Sequence, residues 1–252
     1  MEDLSNDFLQ ELYEQGGFYT SFDSTGKRIG PMVGYAGRYI DGNNAKKQFI
    51  GDVYVNCSKL EKVPKKLGHF LRRISRSIED MVYANGMADV LSSQSNNRVV
   101  LLGAPMGGII TAALLSMSLF SGNPEKTEFG FLEKKVTELA TTESREKSEL
   151  VFGRHDIFRD DVVIPIEDVC NNFSTTKQML SLVFGKGVKV PCLFCLVNRS
   201  GKKSFSFDGK EISIVSIVES NWPQYEQEDP EIQNYISIPG NLILNTCGIY
   251  SE

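Results

Sequence analysis

The chain has 252 residues, of which 41% are apolar and 23% are charged, and its net charge is −5. This composition suits one large α/β domain with a sizeable core, and the lack of a strong basic excess argues against a nucleic-acid partner. No stretch approaches the ~18 apolar residues of a membrane span, so no membrane partner is expected.

Alternating patterns of apolar and polar residues divide the chain into strands and helices. In chain order, the predicted elements are a helix over 4–16, an irregular hairpin region over 18–50, a strand over 52–57, a helix over 64–84, a strand over 98–103 that runs through a glycine turn into an apolar helix, a strand over 127–136, a polar and mobile loop over 137–150, a strand over 162–166, a helix over 175–184, a strand over 190–197 and a β-rich tail over 205–218. Strands that alternate with helices predict a largely parallel α/β sheet.

The start of the chain and its cysteines bear on where the protein works. The opening MEDLSNDFLQ is acidic and lacks the apolar core of a secretory signal. The five cysteines form no disulfide framework, which is typical of a reducing cytosol. Cys192 and Cys195 form a C-x-x-C pair inside a buried-strand pattern that points them to opposite faces. We therefore expect a cytoplasmic protein in which both are core residues rather than zinc ligands.

Residues 162–184, VVIPIEDVCNNFSTTKQMLSLVF, are the most informative segment. An apolar strand ends at a pair of carboxylates, Glu167 and Asp168, and a polar loop then feeds a helix. Free N–H groups and the helix dipole make such a helix start an anion site. An isolated acidic pair is more often a structural strand end, but strand, pair, loop and helix together favour a ligand with a phosphate and hydroxyls. Phosphorylated ribose fits that description.

A second strand-to-helix turn, GAPMGG over 103–108, lies at the same predicted edge of the sheet. Ligands bind beyond the carboxyl ends of parallel strands, so both turns are candidate ligand contacts. The turn lacks the Lys-Ser/Thr ending of a P-loop. Tight packing of strand against helix explains its glycines equally well.

The order and spacing of five motifs over about residues 8–200 resemble the type I phosphoribosyltransferases, with orotate phosphoribosyltransferases the most similar members. The motifs are FIGDVYVNCSKLEKVP, VVLLGAPMGGIITAA, FLEKKVT, VVIPIEDVCNNFSTT and VNRSG, and they are preceded by LQELYEQGGFY, which is similar to the family's opening helix. The resemblance implies the fold of that family, a mostly parallel twisted sheet flanked by helices with a small N-terminal hood. It divides a single domain into a helix and hood over 1–60, an α/β core over 61–218 and a C-terminal extension over 219–252.

The resemblance also implies an activity, a cofactor and an assembly. The protein would be a glycosyltransferase of pyrimidine biosynthesis that transfers phosphoribose from phosphoribosyl pyrophosphate to orotate, forming orotidine 5′-monophosphate and pyrophosphate. Mg²⁺ would be the cofactor, bound mainly through substrate oxygens, so no protein metal ligand is assigned. The loop over 137–150 would close over the site of a neighbouring chain in a homodimer.

Site residues follow from the positions that match the family's motifs. The predicted catalytic residues are Asp168, Glu167, Lys134, Arg145 and Lys147. The predicted phosphoribosyl-pyrophosphate contacts are Pro105, Met106, Gly107, Gly108, Lys135, Asn171, Asn172, Ser174, Thr175 and Thr176. The predicted base contacts are Lys46, Tyr54 and Arg199.

Several positions depart from the family's pattern. Gly107, Glu133 and Thr137 stand where a Lys, an Arg and a catalytic Lys are usual, and Phe173 lies in a loop that usually has Thr and Gly. These departures leave two alternatives open. One is a homologue that binds a nucleotide or phosphoribosyl ligand as a regulator without turnover. The other is a phosphoribosyltransferase for a purine or a modified pyrimidine.

Overall fold

The computed structural model describes residues 2–87, 89, 95–121, 124–138 and 147–244. The helices are α1 (Glu2–Glu14), α2 (Ser58–Glu61), α3 (Pro64–Ala84), α4 (Gly108–Ser116), α5 (Ser174–Phe184) and α6 (Pro230–Ile236). The strands are β1 (Phe18–Thr20), β2 (Met32–Ile40), β3 (Lys46–Gly51), β4 (Val53–Val55), β5 (Val99–Gly103), β6 (Thr127–Glu138), β7 (Lys147–Phe152), β8 (Val162–Cys170), β9 (Cys192–Asn198), β10 (Ser204–Phe207), β11 (Lys210–Glu219) and β12 (Leu242–Ile243). Within these ranges, every helix is too short or too polar to cross a membrane.

The central sheet has the strand order β10–β11–β9–β8–β5–β6–β7. Its five inner strands run parallel, and the outer strands β10 and β7 are antiparallel to their neighbours. The predicted fold class, a mostly parallel sheet flanked by helices, is confirmed. All inner strands end at one edge, which brings the β5–α4 turn and the β8–α5 loop together.

Helices cover both faces of this sheet, which explains the nearly continuous apolar runs of its central strands. Helices α1, α3 and α4 pack on the face that carries Leu101 and Ile164, and α5 packs on the face that carries Leu102 and Val163. Cys192 belongs to the first core cluster and Cys195 to the second. The prediction that these cysteines are core residues on opposite faces is confirmed.

A smaller β-structure, the hood, stands over the carboxyl edge of the sheet and contains strands β1 to β4. The β2–β3 hairpin falls within the predicted hairpin region over 18–50. Strand β12, from the C-terminal part of the chain, pairs in parallel with β2. Tyr225 bridges to Ile50 of β3, and Ile232 of α6 shares a small core cluster with Ile50 and Met32. Residues that follow the last strand of the central sheet in the chain therefore complete the hood.

Two of the differences from the predicted boundaries affect the site. Strand β8 continues to Cys170 rather than ending at residue 166, because Val169 and Cys170 pair with Val197 and Asn198 of β9. The loop predicted over 137–150 is partly strand, since Lys147–Phe152 pairs with β6 to form a hairpin. Residues 139–146 at the tip of this hairpin lie outside the described residues. Helix α3 has the predicted limits, 64–84.

Candidate active site

A cavity of about 680 Å³ lies between the hood and the carboxyl edge of the sheet. Both the hood and the loop that follows β8 contribute to its walls. Its lining consists of Tyr35, Gly37, Arg38, Phe49, Tyr54, Val55, Asn56, Asp168, Val169, Asn171, Asn172, Thr175, Arg199 and Gln224. Aromatic rings, amides, two arginines and one carboxylate suit a planar, anionic and hydroxyl-bearing ligand.

The adjacent carboxylates Glu167 and Asp168 point to opposite faces of the sheet. They lie inside β8, and successive side chains of a strand alternate in direction. Glu167 is directed toward α5, where its Oε1 accepts a hydrogen bond from Thr176 Oγ1 at 3.4 Å. Asp168 is directed toward the turn before α4 and lines the cavity. The expectation that the strand ends before these carboxylates was wrong, because both lie within β8.

Burial sets the protonation of these carboxyl groups. It raises the pKa of Glu167 to about 8, and the negative charge of Asp168 adds to that rise. Burial also raises the pKa of Asp168, while the N–H of Val169, which donates to Asp168 Oδ1 at 2.8 Å, acts in the opposite direction. Across from Asp168, burial raises the pKa of Glu61 of α2 to about 7. Glu167 is therefore mostly protonated at neutral pH.

A hollow of about 90 Å³ lies at the start of α5. The predicted phosphate contacts Asn171, Asn172, Ser174, Thr175 and Thr176 line it together with Glu167, Val169, Cys170 and Phe173. The N–H of Ser174 donates to Asn172 Oδ1 at 3.1 Å, which shapes the turn into the helix. N–H groups and the dipole at a helix start favour an anion. The mostly protonated Glu167 adds little negative charge to this hollow.

Phe173 occupies the corner of the 171–173 loop in a left-handed backbone conformation, with φ +59°. A residue other than glycine pays about 1–2 kcal/mol for this conformation. Its ring is buried in the core and stacks on Phe205 of β10, with ring centroids 4.5 Å apart and planes 12° apart. The ring therefore packs into the core and leaves the hollow open beside it.

The β5–α4 turn approaches Asp168 closely. A Cβ on Gly107 would lie 2.3 Å from Asp168 Cγ, and a Cβ on Gly108 would lie 2.1 Å from the carbonyl oxygen of Ile166. A side chain at residue 108 would meet backbone, whereas one at residue 107 would have to displace the Asp168 carboxylate. The peptide bond between Pro105 and Met106 is cis, and Met106 is 81% exposed. Tight packing of strand against helix explains Gly108, whereas Gly107 brings the turn against the site carboxylate.

Arg199, which directly follows β9, is 7% exposed and lines the cavity. Its Nη2 donates to the hydroxyl of Tyr35 at 2.6 Å, and its guanidinium lies 4.4 Å from the centroid of the Tyr35 ring. Within the described ranges, its Nε has no hydrogen-bond partner and none of the ion pairs includes it. A buried cation without an acidic partner is costly, so this arrangement calls for an anionic ligand.

The predicted base contacts are only partly brought together. Tyr54 and Arg199 line the cavity, but Lys46 does not. Lys46 lies at the exposed start of β3, on the face opposite to the cavity-lining Phe49. Its neighbour Lys47 shares the face of Phe49 and forms ion pairs with Asp41 and Glu228.

The predicted cations of the pyrophosphate end lie outside the cavity lining. Lys134 and Lys135 are exposed on β6. The positive charge of Lys134 still lowers the pKa of Glu167 slightly, against the larger effect of burial. Lys147 begins β7, but its side chain and the whole of Arg145 lie outside the described part of the chain.

Sequence reasoning named six of the fourteen lining residues and missed the other eight, among them Tyr35, Arg38, Phe49 and Gln224. Tyr35, Arg38 and Phe49 lie in the hood hairpin. Simple alternation would place Tyr35 and Arg38 on opposite faces. The register of β2 shifts between Gly34 and Arg38, and sequence alone does not reveal this irregularity. Gln224 comes from the C-terminal extension, which carries no motif. Its Oε1 accepts a hydrogen bond from Asn171 Nδ2 at 2.8 Å.

The side chains at the site offer few ligands for a metal ion. Among the described residues, no three His, Cys, Asp or Glu side chains are grouped as metal ligands. Asp168 is the one carboxylate among the lining residues. A magnesium ion at this site would therefore take most of its oxygen ligands from a bound substrate.

No family model matches the chain, and no curated protein matches it. Solved structures do match. The orotate phosphoribosyltransferase from Aeropyrum pernix is 14% identical, with 84% of this chain and 92% of that chain covered and a TM-score of 0.42. The hypoxanthine phosphoribosyltransferase of Trypanosoma cruzi is 18% identical, with 63% and 79% covered and a TM-score of 0.41. The adenine phosphoribosyltransferase from Leishmania tarentolae is 13% identical, with 83% and 86% covered and a TM-score of 0.45. All three are phosphoribosyltransferases, the class that the sequence motifs resemble, and they are named for three different bases.

Proposed function

We propose that the protein is a type I phosphoribosyltransferase that transfers phosphoribose from phosphoribosyl pyrophosphate to orotate. The bond between ribose C1 and the pyrophosphate oxygen breaks, and a bond from C1 to a ring nitrogen of the base forms. That nitrogen loses its proton, and the products are orotidine 5′-monophosphate and pyrophosphate.

The buried Arg199, which has no acidic partner among the described residues, is the observation that carries this proposal. Its guanidinium lies in the cavity with Tyr35 and Tyr54, which offer flat surfaces for a planar ring. Orotate is a planar base with a carboxylate, and arginine pairs with carboxylates through two parallel hydrogen bonds. An uncharged base would leave the buried cation without a partner, which is why orotate is preferred.

Asp168 and the hollow at the start of α5 supply the ribose and phosphate contacts of the proposed reaction. Asp168 would accept hydrogen bonds from ribose hydroxyls and steady the positive charge that builds on the ring as pyrophosphate leaves. The hollow beside Asn172 and Thr175 would take the 5′-phosphate. A protonated Glu167 beneath it would donate a hydrogen bond rather than repel the anion.

The departing pyrophosphate needs positive charge. Main-chain groups of the 105–108 turn, with Lys134 and Lys135, would face it, and Arg145 or Lys147 would replace the family's loop lysine. Mg²⁺, held mainly by substrate oxygens, would supply further neutralisation of the pyrophosphate. Closure of the hairpin tip would exclude water while C1 is reactive.

A homodimer is part of the proposal, because the loop of one chain would reach the site of the other. Exposed apolar side chains on the outer face of α4 and on the turn before it are consistent with a dimer interface there. Met106 in the turn and Met117 at the end of α4 are each 81% exposed, and Ile110 of the helix is 41% exposed. Ile110 and Met117 are seven residues apart, which places them on one side of the helix. Large apolar side chains grouped on a surface mark an interaction site.

Two measurements on the purified protein test the proposal. Calorimetry with phosphoribosyl pyrophosphate and Mg²⁺ should show binding, and pyrophosphate release should be fastest with orotate among orotate, uracil, adenine and hypoxanthine. Binding of phosphoribosyl pyrophosphate without pyrophosphate release for any base would favour the alternative of a regulator that binds the ligand without turnover. Faster release with a different base would keep the class of reaction and overturn the choice of orotate.

A further inference from the structure

We propose that Phe205 is a positioning residue for the phosphate site, because its ring holds Phe173 and thereby the 171–173 loop in the conformation that forms the hollow. The inference rests on the proposed function, since it takes the hollow as the 5′-phosphate site. It concerns a strand that none of the sequence motifs includes.

Local sequence does not favour the conformation of this loop corner. Phe173 is the residue before the first turn of α5, with φ +59° and ψ +20°, and its side chain provides no hydrogen bond to the helix start. Helices prefer Ser, Thr, Asp or Asn at this position, in an extended conformation. A bulky residue with positive φ is a genuine outlier. The conformation must therefore be held by contacts from elsewhere in the fold.

Phe205 provides that contact from an outer strand. It lies on β10, and β11 and β9 separate β10 from β8 in the sheet. The two rings stack at 4.5 Å, and each residue is nearly buried, with 6% of Phe173 and 7% of Phe205 exposed. Met179 and Leu180 of α5 complete the same core cluster. Phe173 can leave the left-handed conformation only by withdrawing its ring from this cluster.

The consequence for a ligand is a change in the population of the competent loop. A site that is formed only part of the time binds more weakly in proportion to that fraction. If removal of the Phe205 ring leaves the hollow formed about one tenth of the time, affinity for a phosphate group falls about tenfold. Glycine at residue 173 would adopt positive φ without any partner ring. The effect of Phe205 should therefore depend on which residue occupies position 173.

The test compares wild type with Phe205→Ala, Phe173→Gly and the double variant. One readout is the dissociation constant of ribose 5-phosphate by calorimetry, and the other is hydrogen exchange of the Ser174 to Thr176 amides without ligand. We expect Phe205→Ala in the wild-type background to weaken binding about tenfold and to speed exchange. In the Phe173→Gly background, Phe205→Ala should have little further effect on either readout.

Two further variants separate positioning from general stability. Phe207→Ala on the same strand removes a ring that pairs with Phe184 instead, so it should lower the melting temperature without changing ribose 5-phosphate affinity. Phe205→Leu keeps apolar volume and loses the stack, and it serves if the alanine variant does not fold.

Equal effects of Phe205→Ala in both backgrounds would overturn the inference, as would unchanged exchange at the start of α5. If wild type fails to bind ribose 5-phosphate, the proposed function fails at this site. The exchange measurement still decides whether Phe205 holds the loop.

Discussion

The backbone of Gly107 lies against the carboxyl group of Asp168, so closely that a Cβ on residue 107 would be 2.3 Å from Asp168 Cγ. The resembling family usually has a lysine at this position. Here the space that such a side chain would enter is occupied by the site carboxylate. The observed position of the Asp168 carboxylate therefore depends on the absence of a side chain at residue 107.

Gly107→Ala should displace the Asp168 carboxylate and lower kcat/KM about 10²-fold, as a 1 Å misplacement of a catalytic group can do. The matched control is Gly42→Ala, because a Cβ on Gly42 meets nothing within 4 Å. Steady-state kinetics and the melting temperature of both variants check this. Normal turnover of the Gly107 variant would show that the turn can move away from Asp168 without cost.

Asp168→Asn should reduce turnover by about 10²–10³-fold while the protein stays folded, because the amide cannot stabilise developing positive charge on the ribose. Circular dichroism and pyrophosphate release are the measurements. Asp156→Asn, at an exposed position, is the control. If the Asp168 variant retains most of its activity, the assignment of this carboxylate to the ribose site is wrong.

Arg199→Gln should weaken orotate binding by about 2–5 kcal/mol, the usual cost of truncating one partner of a buried charge pair. Arg199→Lys should recover only part of this loss, since an ammonium lacks the planar fork. Calorimetry with orotate and with uracil checks the assignment, because uracil has no carboxylate. A parallel loss for both bases would mean that Arg199 supports the fold of the cavity rather than recognising an anion.

Glu167→Gln should raise the free energy of unfolding, and the gain should grow with pH. The carboxyl pKa is about 4.5 in the unfolded chain and about 8 in the folded protein. Below pH 4.5 the carboxyl group is protonated in both the folded protein and the unfolded chain, so removal of its charge does not change the free energy of unfolding. Between pH 4.5 and 8 the unfolded chain releases this proton while the folded protein keeps it, so wild type loses stability until the loss is complete above pH 8, and the glutamine variant does not.

Urea unfolding at acidic, neutral and alkaline pH measures this difference. Glu228→Gln is a control of opposite sign, because hydrogen bonds from Lys47 and Tyr39 lower the pKa of Glu228. The charge of Glu228 stabilises wild type at pH values above the carboxyl pKa of the unfolded chain. The Glu228→Gln variant should therefore become less stable than wild type as the pH rises. A pH-independent effect of Glu167→Gln would contradict the buried, protonated state of that carboxyl group.

Mixed dimers test the shared site. Asp168→Asn and the double variant Arg145→Ala with Lys147→Ala should each be inactive, and mixing them should restore part of the activity, because one site of a mixed dimer receives an intact Asp168 and an intact loop. Light scattering establishes that dimers form, and differently tagged chains establish that they mix. Proven mixed dimers without any rescue would place loop and carboxylate of each site in the same chain.

Local patterns of the chain determined the helices and central strands of the α/β core. The apolar period of 64–84, with Pro64 at its start, defines α3 correctly, and the apolar runs at 99–103 and 162–166 define central strands. These features depend on residues that are close in sequence, so the sequence alone determines them. The same holds for Cys192 and Cys195, whose opposite directions follow from strand alternation.

The site required the tertiary structure, because its contacts join distant parts of the chain. The length of β8, and with it the opposite directions of Glu167 and Asp168, depends on pairing with β9. The ring of Phe173 enters the core only because Phe205 lies there to receive it. Gln224 reaches the cavity only because the chain beyond β11 returns to the hood. No local propensity encodes such long-range contacts, since they arise from the packing of elements that local propensity merely supplies.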